Sequence, residues 1–263
     1  MRKVLQLIAV LLAGVAPCLA GVSFIAVARG SNQTLGDTVH VLVSGDKARL
    51  EFMFSGQQSL PNSEYMLSPD QGKTLYTVSP RTRTYSVFEV QAMLAAMGGM
   101  VQGLRGNMKM EFQSPKVEKL LEEDGGAVAG LPTRHYRIRT TYTATTHLRG
   151  GRTVNTTTEE DIWTTTQLSD PALSVWLTKT PPSTGDDQFD EIIRAEMQKV
   201  PGFPLKRVTV TRTVNGEGQE QITRGEMEVT ELKTVDIPDS VFQIPDGYTK
   251  VEPRQDEDHQ DKQ

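Results

Sequence analysis

The sequence predicts an α+β fold: a large curved antiparallel sheet, an incomplete β-barrel, with about three helices covering its concave face. Three observations carry this. The 263 residues include 29 threonines, a β-branched residue that favours strands, against only 6% aromatics. Short β-rich runs recur, separated by Gly, Asn, Asp and Pro at hairpin spacing. Three segments switch to a helical period, and helices inserted between hairpins bury their apolar stripes only against the sheet.

Taken in chain order, Gly21 to Gly30 (GVSFIAVARG) and Thr38 to Phe54 (TVHVLVSGDKARLEFMF) give three strands, because Ser44-Gly45-Asp46 breaks the second run. Ser63 to Leu67, Lys73 to Val78 and Thr84 to Phe88 follow, punctuated by Pro69-Asp70-Gln71-Gly72 and Pro80-Arg81. Turn residues at that spacing predict a meander. From Arg134 to Tyr142, Tyr136, Ile138 and Tyr142 alternate with His135, Arg137 and Arg139, so one face is buried and the other faces water. Thr153 to Thr166 has strand propensity, with Ile162 and Trp163 as its apolar anchors. Leu205 to Val214 and Glu226 to Val235 flank Asn215-Gly216-Glu217-Gly218, whose Asn-Gly pair suits the positive φ angles of a tight hairpin. About ten strands result, joined by short turns and hence antiparallel.

The first helix is expected over Glu89 to Leu104, where Val90, Met93, Leu94, Met97, Met100, Val101 and Leu104 fall at steps of three and four. Gly98-Gly99 weakens its middle. Asp170-Pro171 opens a short second helix carrying Leu173, Trp176 and Leu177. Asp186 or Asp187 caps a third, with Phe189, Ile192, Ile193, Met197 and Val200 on one side and Pro201-Gly202 as the stop.

Arg2 and Lys3, the apolar run Val4 to Ala16 and the small residues before Gly21 have the order of a secretory signal peptide. That run is shorter than the ~20 residues a bilayer-spanning helix needs, so no transmembrane segment is expected after its removal. Cleavage after Ala20 would take the net charge from −5 to −7 and remove Cys18, the one cysteine. A disulfide framework, a four-cysteine zinc site and an iron–sulfur cluster are thereby excluded. The acidic balance argues against nucleic acid as a partner. Residues 252–263 (EPRQDEDHQDKQ) read as a disordered acidic tail, leaving 21–251 as a single domain after the signal at 1–20.

No Gly-x-Ser-x-Gly elbow, His-Glu-x-x-His, Gly-x-x-x-x-Gly-Lys or Gly-x-Gly-x-x-Gly occurs. His40 and His135 fall in strands, and His135 alternates with Arg137 and Arg139, an environment that disfavours a metal. In Glu159-Glu160-Asp161 only Glu159 and Asp161 share a face, which reads as solvated. His135 and Arg139 read either as an anion-binding pair or as a surface charge pairing opposite Glu226 and Glu228. These residues predict no catalytic site, no metal and no cofactor.

Glu64 to Pro80 (EYMLSPDQGKTLYTVSP) is similar to a hairpin of the outer-membrane lipoprotein carrier, the LolA-like family. Asp70, Gly72, Lys73, Thr74, Leu75, Tyr76 and Pro80 carry the match, with Gln71 as an extra residue. Val43 to Glu51 (VSGDKARLE) looks like that family's strand, turn and Arg-bearing strand. Pro238 to Tyr248 (PDSVFQIPDGY) resembles the closing motif of lipoprotein-sorting-like proteins and of a related secreted bacterial domain family of unknown function. The resemblance implies a half-open barrel that shelters lipid or acyl chains, with no catalytic residues. The chain departs from the carrier in starting directly with a strand after the signal and in its longer Thr-rich middle. The expected function is a non-enzymatic exported envelope protein, periplasmic or extracellular, binding lipid or lipoprotein acyl chains. Met93, Leu94, Met97, Met100, Val101 and Leu104 would form an adaptable apolar lid. A structural or protein-interaction module of the envelope, with a protein partner and no small ligand, is the alternative.

Overall fold

A computed structural model of the chain describes residues 20–30, 37–54, 64–89, 110–146, 152–168, 173 and 187–252. Its strands are β1 (Ala20–Gly30), β2 (Asp37–Ser44), β3 (Lys47–Phe54), β4 (Tyr65–Ser68), β5 (Thr74–Ser79), β6 (Thr84–Glu89), β7 (Met110–Val128), β8 (Leu131–Thr146) and β9 (Arg152–Thr165). Helix α1 (Asp187–Lys199), β10 (Phe203–Asn215), β11 (Glu220–Asp236), a 3-10 turn (Asp239–Phe242) and β12 (Thr249–Lys250) complete the order. The strands form one open sheet in the order β12-β6-β5-β4-β3-β2-β1-β11-β10-β9-β8-β7. Two meanders, β1 to β6 and β7 to β11, are therefore fused along β1 and β11, whose antiparallel register runs from Ala20↔Asp236 to Gly30↔Gly225. Every other pairing is antiparallel too, except the short parallel contact of β12 with β6.

The expected fold class is corrected. The fold is almost all β, and among the described residues α1 is the single α-helix, where three had been expected to cover the sheet. The third expected helix is α1, stopped at Pro201-Gly202 as its sequence requires. The first and second lie outside the described residues, apart from Glu89, the last residue of β6, and Leu173. The strand content was underestimated at β7, the longest strand at 19 residues. Its Lys- and Glu-rich sequence has no period-2 pattern because it is an edge strand with register shifts at Gln113/Lys116, Lys119/Leu121 and Asp124/Ala127. Such bulges and charges keep an exposed edge from pairing with other chains.

The break expected at Ser44-Gly45-Asp46 is a two-residue turn, with φ of +60° at Gly45 and Ser44 opposite Lys47. The Asn215 turn does not. It spans four residues between β10 and β11, the positive φ falls on Gly218, and the Asn215 side-chain oxygen accepts the backbone N–H groups of Glu217 and Gln219. An Asx-type cap thus replaces the tight Asn-Gly turn.

The sheet has a core on each face. On the first, Val22 and Phe24 of β1 stand beside Val43 and Val41 of β2, which stand beside Ala48 and Leu50 of β3, all buried. Phe203, Leu205, Val229 and Leu173 join them, and Val128 and Leu131 of the β7–β8 turn pack against the cluster. On the opposite face, Tyr65, Leu67 and Val78 form a second cluster, closed by Ile244 and Tyr248 of the C-terminal segment. That segment crosses the face as a strap, with the 3-10 turn packed on β3 and Phe242 buried. Ile237 begins it, and its approach explains Gly21: a Cβ there would meet Ile237 Cδ1 and the Val43 carbonyl oxygen at 2.6 Å each.

Candidate functional site

The first face changes character along the strands. Deep in the core, β1 presents Val22 and Phe24; two residues further, Ala26 and Ala28 are only half-buried. Their cross-strand neighbours are Val39 and Asp37 of β2 and Val229 and Met227 of β11, and Val39 in turn faces Phe52 of β3, which is 40% exposed. The row continues through Gly30 and Gly225, where an added Cβ would find its nearest neighbour at 3.9 Å. Small side chains on the middle strands and larger apolar ones beside them make a shallow apolar floor.

Beyond Met227 the same face turns polar. Arg207 of β10 stands between Met227 and Ile162, and Thr209 stands between Gly225 and Glu160. The Glu160 side chain is 14% exposed; its Oε1 accepts from the Thr209 hydroxyl at 3.0 Å and lies 3.8 Å from Arg207 Nη1, too far for a hydrogen bond. From above, Glu196 of α1 accepts the Thr140 hydroxyl. Burial, with the Glu160 charge adding to it, pushes the Glu196 carboxyl above the ordinary range, against the opposing Thr140 bond and Arg207. The native state therefore holds this proton at pH values where the unfolded chain has lost it, and stability falls as pH rises through that interval. Glu196→Gln keeps an acceptor for Thr140 without the charge. Its melting temperature is expected to exceed that of the parent by about 2 °C at pH 7.5, with the gap closing at pH 4. Thermal scans at the two pH values check this, and an equal or lower value at pH 7.5 would refute it.

On the opposite face, three side chains meet in an order the sequence did not reveal. Ser23 Oγ lies 2.9 Å from His40 Nε2, and His40 Nδ1 lies 3.1 Å from Glu51 Oε2. Nucleophile, base and orienting carboxylate are met in that order in serine hydrolases. The surroundings differ: Ser23 sits within a strand paired on both sides, next to a register shift against β11, and not on a strand-to-helix turn. Glu51 is also shared with Arg49, whose Nε donates at 2.8 Å. The Arg49 guanidinium lies 3.7 Å over the Tyr65 ring and donates to the Val241 carbonyl at 3.2 Å. Lys47 adds a bond to Asp239 at 2.8 Å. The whole run ties four strands to the C-terminal strap.

His135, placed in sequence on a polar face, is 8% exposed. It stacks on Trp163 at 4.3 Å and bridges Glu123 at 3.1 Å and Asp161 at 2.7 Å. Arg137 pairs with Asp161 and Arg139 with Glu159, so the expected partners Glu226 and Glu228 are corrected; those two face Lys206 instead. The register, which no single strand encodes, decides this. Among the described residues no group of His, Cys, Asp and Glu has a metal-binding arrangement. The lid residues Met93, Leu94, Met97, Met100, Val101 and Leu104 lie outside the described residues. No curated protein matches the sequence. Residues 30–248 match the family described as Domain of unknown function (DUF4412).

Proposed function

The chain belongs to the DUF4412 family, and on that premise we propose that it is an exported, non-enzymatic envelope protein that binds or carries an apolar ligand. The ligand class is a lipid or a lipoprotein acyl chain, seated on the apolar floor of the first face. The observation that carries this reading is the gradation along β1 and β2, from buried Val22 and Val41 to half-buried Ala26, Ala28 and Val39 with Phe52 exposed beside them. The resemblance of Glu64 to Pro80 and of Pro238 to Tyr248 to the lipoprotein carrier family supports it. Export rests on residues 2–20; cleavage after Ala20 leaves β1 intact from Gly21. No described helix is long and apolar enough to cross a membrane.

Titration with the apolar dye 1-N-phenylnaphthylamine tests the binding. Saturable fluorescence with about one site per chain and a dissociation constant in the micromolar range is the expected result. No saturable signal would sink the reading and favour an interaction module. For the non-enzymatic part, a fluorophosphonate probe is expected to leave Ser23 unlabelled, whereas labelling abolished by Ser23→Ala and His40→Ala would reverse it.

A further inference from the structure

Met227 of β11 stands where the floor changes from apolar to polar. Along its own strand, buried Val229 lies on one side of it and Gly225 on the other. Across the strands its register partners are Ala28 of β1 and Arg207 of β10. The Met227 side chain is half-buried. Ala28 beside it carries only a methyl group, and Gly225 with Gly30 opposite carries no side chain. An added Cβ at Gly225 would find its nearest atom, the Arg29 carbonyl oxygen, at 3.9 Å. Among the described residues the thioether is thus open to a small solute from the Gly225 side. On its other flank, directly opposed strand residues hold their Cβ atoms about 4.5–5.5 Å apart, within reach of two long side chains. The Arg207 guanidinium there is a fork of N–H donors. Among the described residues its ion contact, Glu160 at 3.8 Å, is beyond hydrogen-bond distance, so those donors remain on offer.

We propose that Met227 is an oxidation site that gates the apolar floor, with a peroxide as the oxidant. The Met227 sulfur attacks one peroxide oxygen: an S–O bond forms, the O–O bond breaks, and the proton on the transferred oxygen passes to the departing one, which leaves as water. Sulfur is oxidised and the peroxide reduced. A flexible apolar side chain becomes a polar one. The new oxygen accepts from the Arg207 N–H groups, so the sulfoxide has a partner on the sheet and the fold survives the change. A hydrocarbon tail laid over Ala28 and Met227 then strips the sulfoxide of water that the guanidinium replaces only in part, and binding weakens. The reduced chain holds the ligand and the oxidised chain releases it. The assignment rests on the proposed apolar binding and adds its regulation.

Titration with 1-N-phenylnaphthylamine before and after treatment with hydrogen peroxide tests it, the oxidised positions being located by peptide mass spectrometry. The dissociation constant is expected to rise about 10-fold once Met227 carries the added oxygen. It is expected to return after incubation with methionine sulfoxide reductase, and the oxidised chain to melt within about 3 °C of the untreated one. Met227→Leu, a change of similar volume, is expected to hold its own starting affinity within about 2-fold through the same treatment, while its other methionines are still exposed to peroxide. An affinity unchanged by oxidation of Met227, a Met227 that resists peroxide, a larger melting loss, or a Met227→Leu variant that loses binding as the parent does overturns the gate while leaving the apolar site standing. Absence of dye binding before treatment overturns both.

Discussion

Replacing Phe24 with alanine is expected to lower the melting temperature by about 10 °C. Phe24 is 3% exposed on β1 and meets Phe203 of β10 edge to face, with ring centroids 5.8 Å apart. Its neighbours Val41 and Leu50 are buried as well. Removing the ring forfeits its burial and leaves a cavity between strands too constrained to close it, at a cost of about 3–5 kcal/mol. Position matters as much as size. β1 is the strand through which the two meanders join, and Phe24 reaches past β11 to the far one. Differential scanning calorimetry checks the loss, and a decrease under about 3 °C would mean that the two halves do not share one core.

Filling the apolar floor carries the second large effect. Ala28→Trp places an indole where Ala28 now stands beside Met227, and is expected to weaken dye binding about 10-fold or more. Arg29→Trp is the control, because successive strand residues point to opposite faces and Arg29 is exposed on the other. It is expected to leave binding within about 2-fold of the parent, with both variants melting within about 3 °C of it. Equal loss in the two variants would show that the dye reports general loosening instead of a site on the first face.

Much of the first meander was legible because its turns are written in residues with one backbone preference. Gly45 and Gly72 supply positive φ, and Asp70 caps the β4–β5 turn by accepting the Thr74 N–H at 2.9 Å. β7 was illegible for the opposite reason: an edge strand that avoids pairing uses the charged residues and bulges that also erase its period. Of the site, the half-buried Ala26 and Val39 lay within strands already read, but nothing in one strand says which residue stands beside it in the next. One contact was recoverable. A two-residue turn after Ser44 sets Ser44 against Lys47 and therefore His40 against Glu51. Glu160 was read as one of three adjacent acids, and the bearing of its charge on Glu196 depends on α1 docking over β7 and β8, a tertiary event without a local signal.

The central claim, that the first face holds an apolar ligand, is tested most directly by native mass spectrometry of the protein purified from cell envelopes without detergent. The expected spectrum contains a complex heavier than the polypeptide by the mass of one lipid or acyl-chain amphiphile, released on organic extraction and absent from Ala28→Trp. A spectrum of the bare polypeptide alone, in a preparation that also fails to bind the dye saturably, would contradict it.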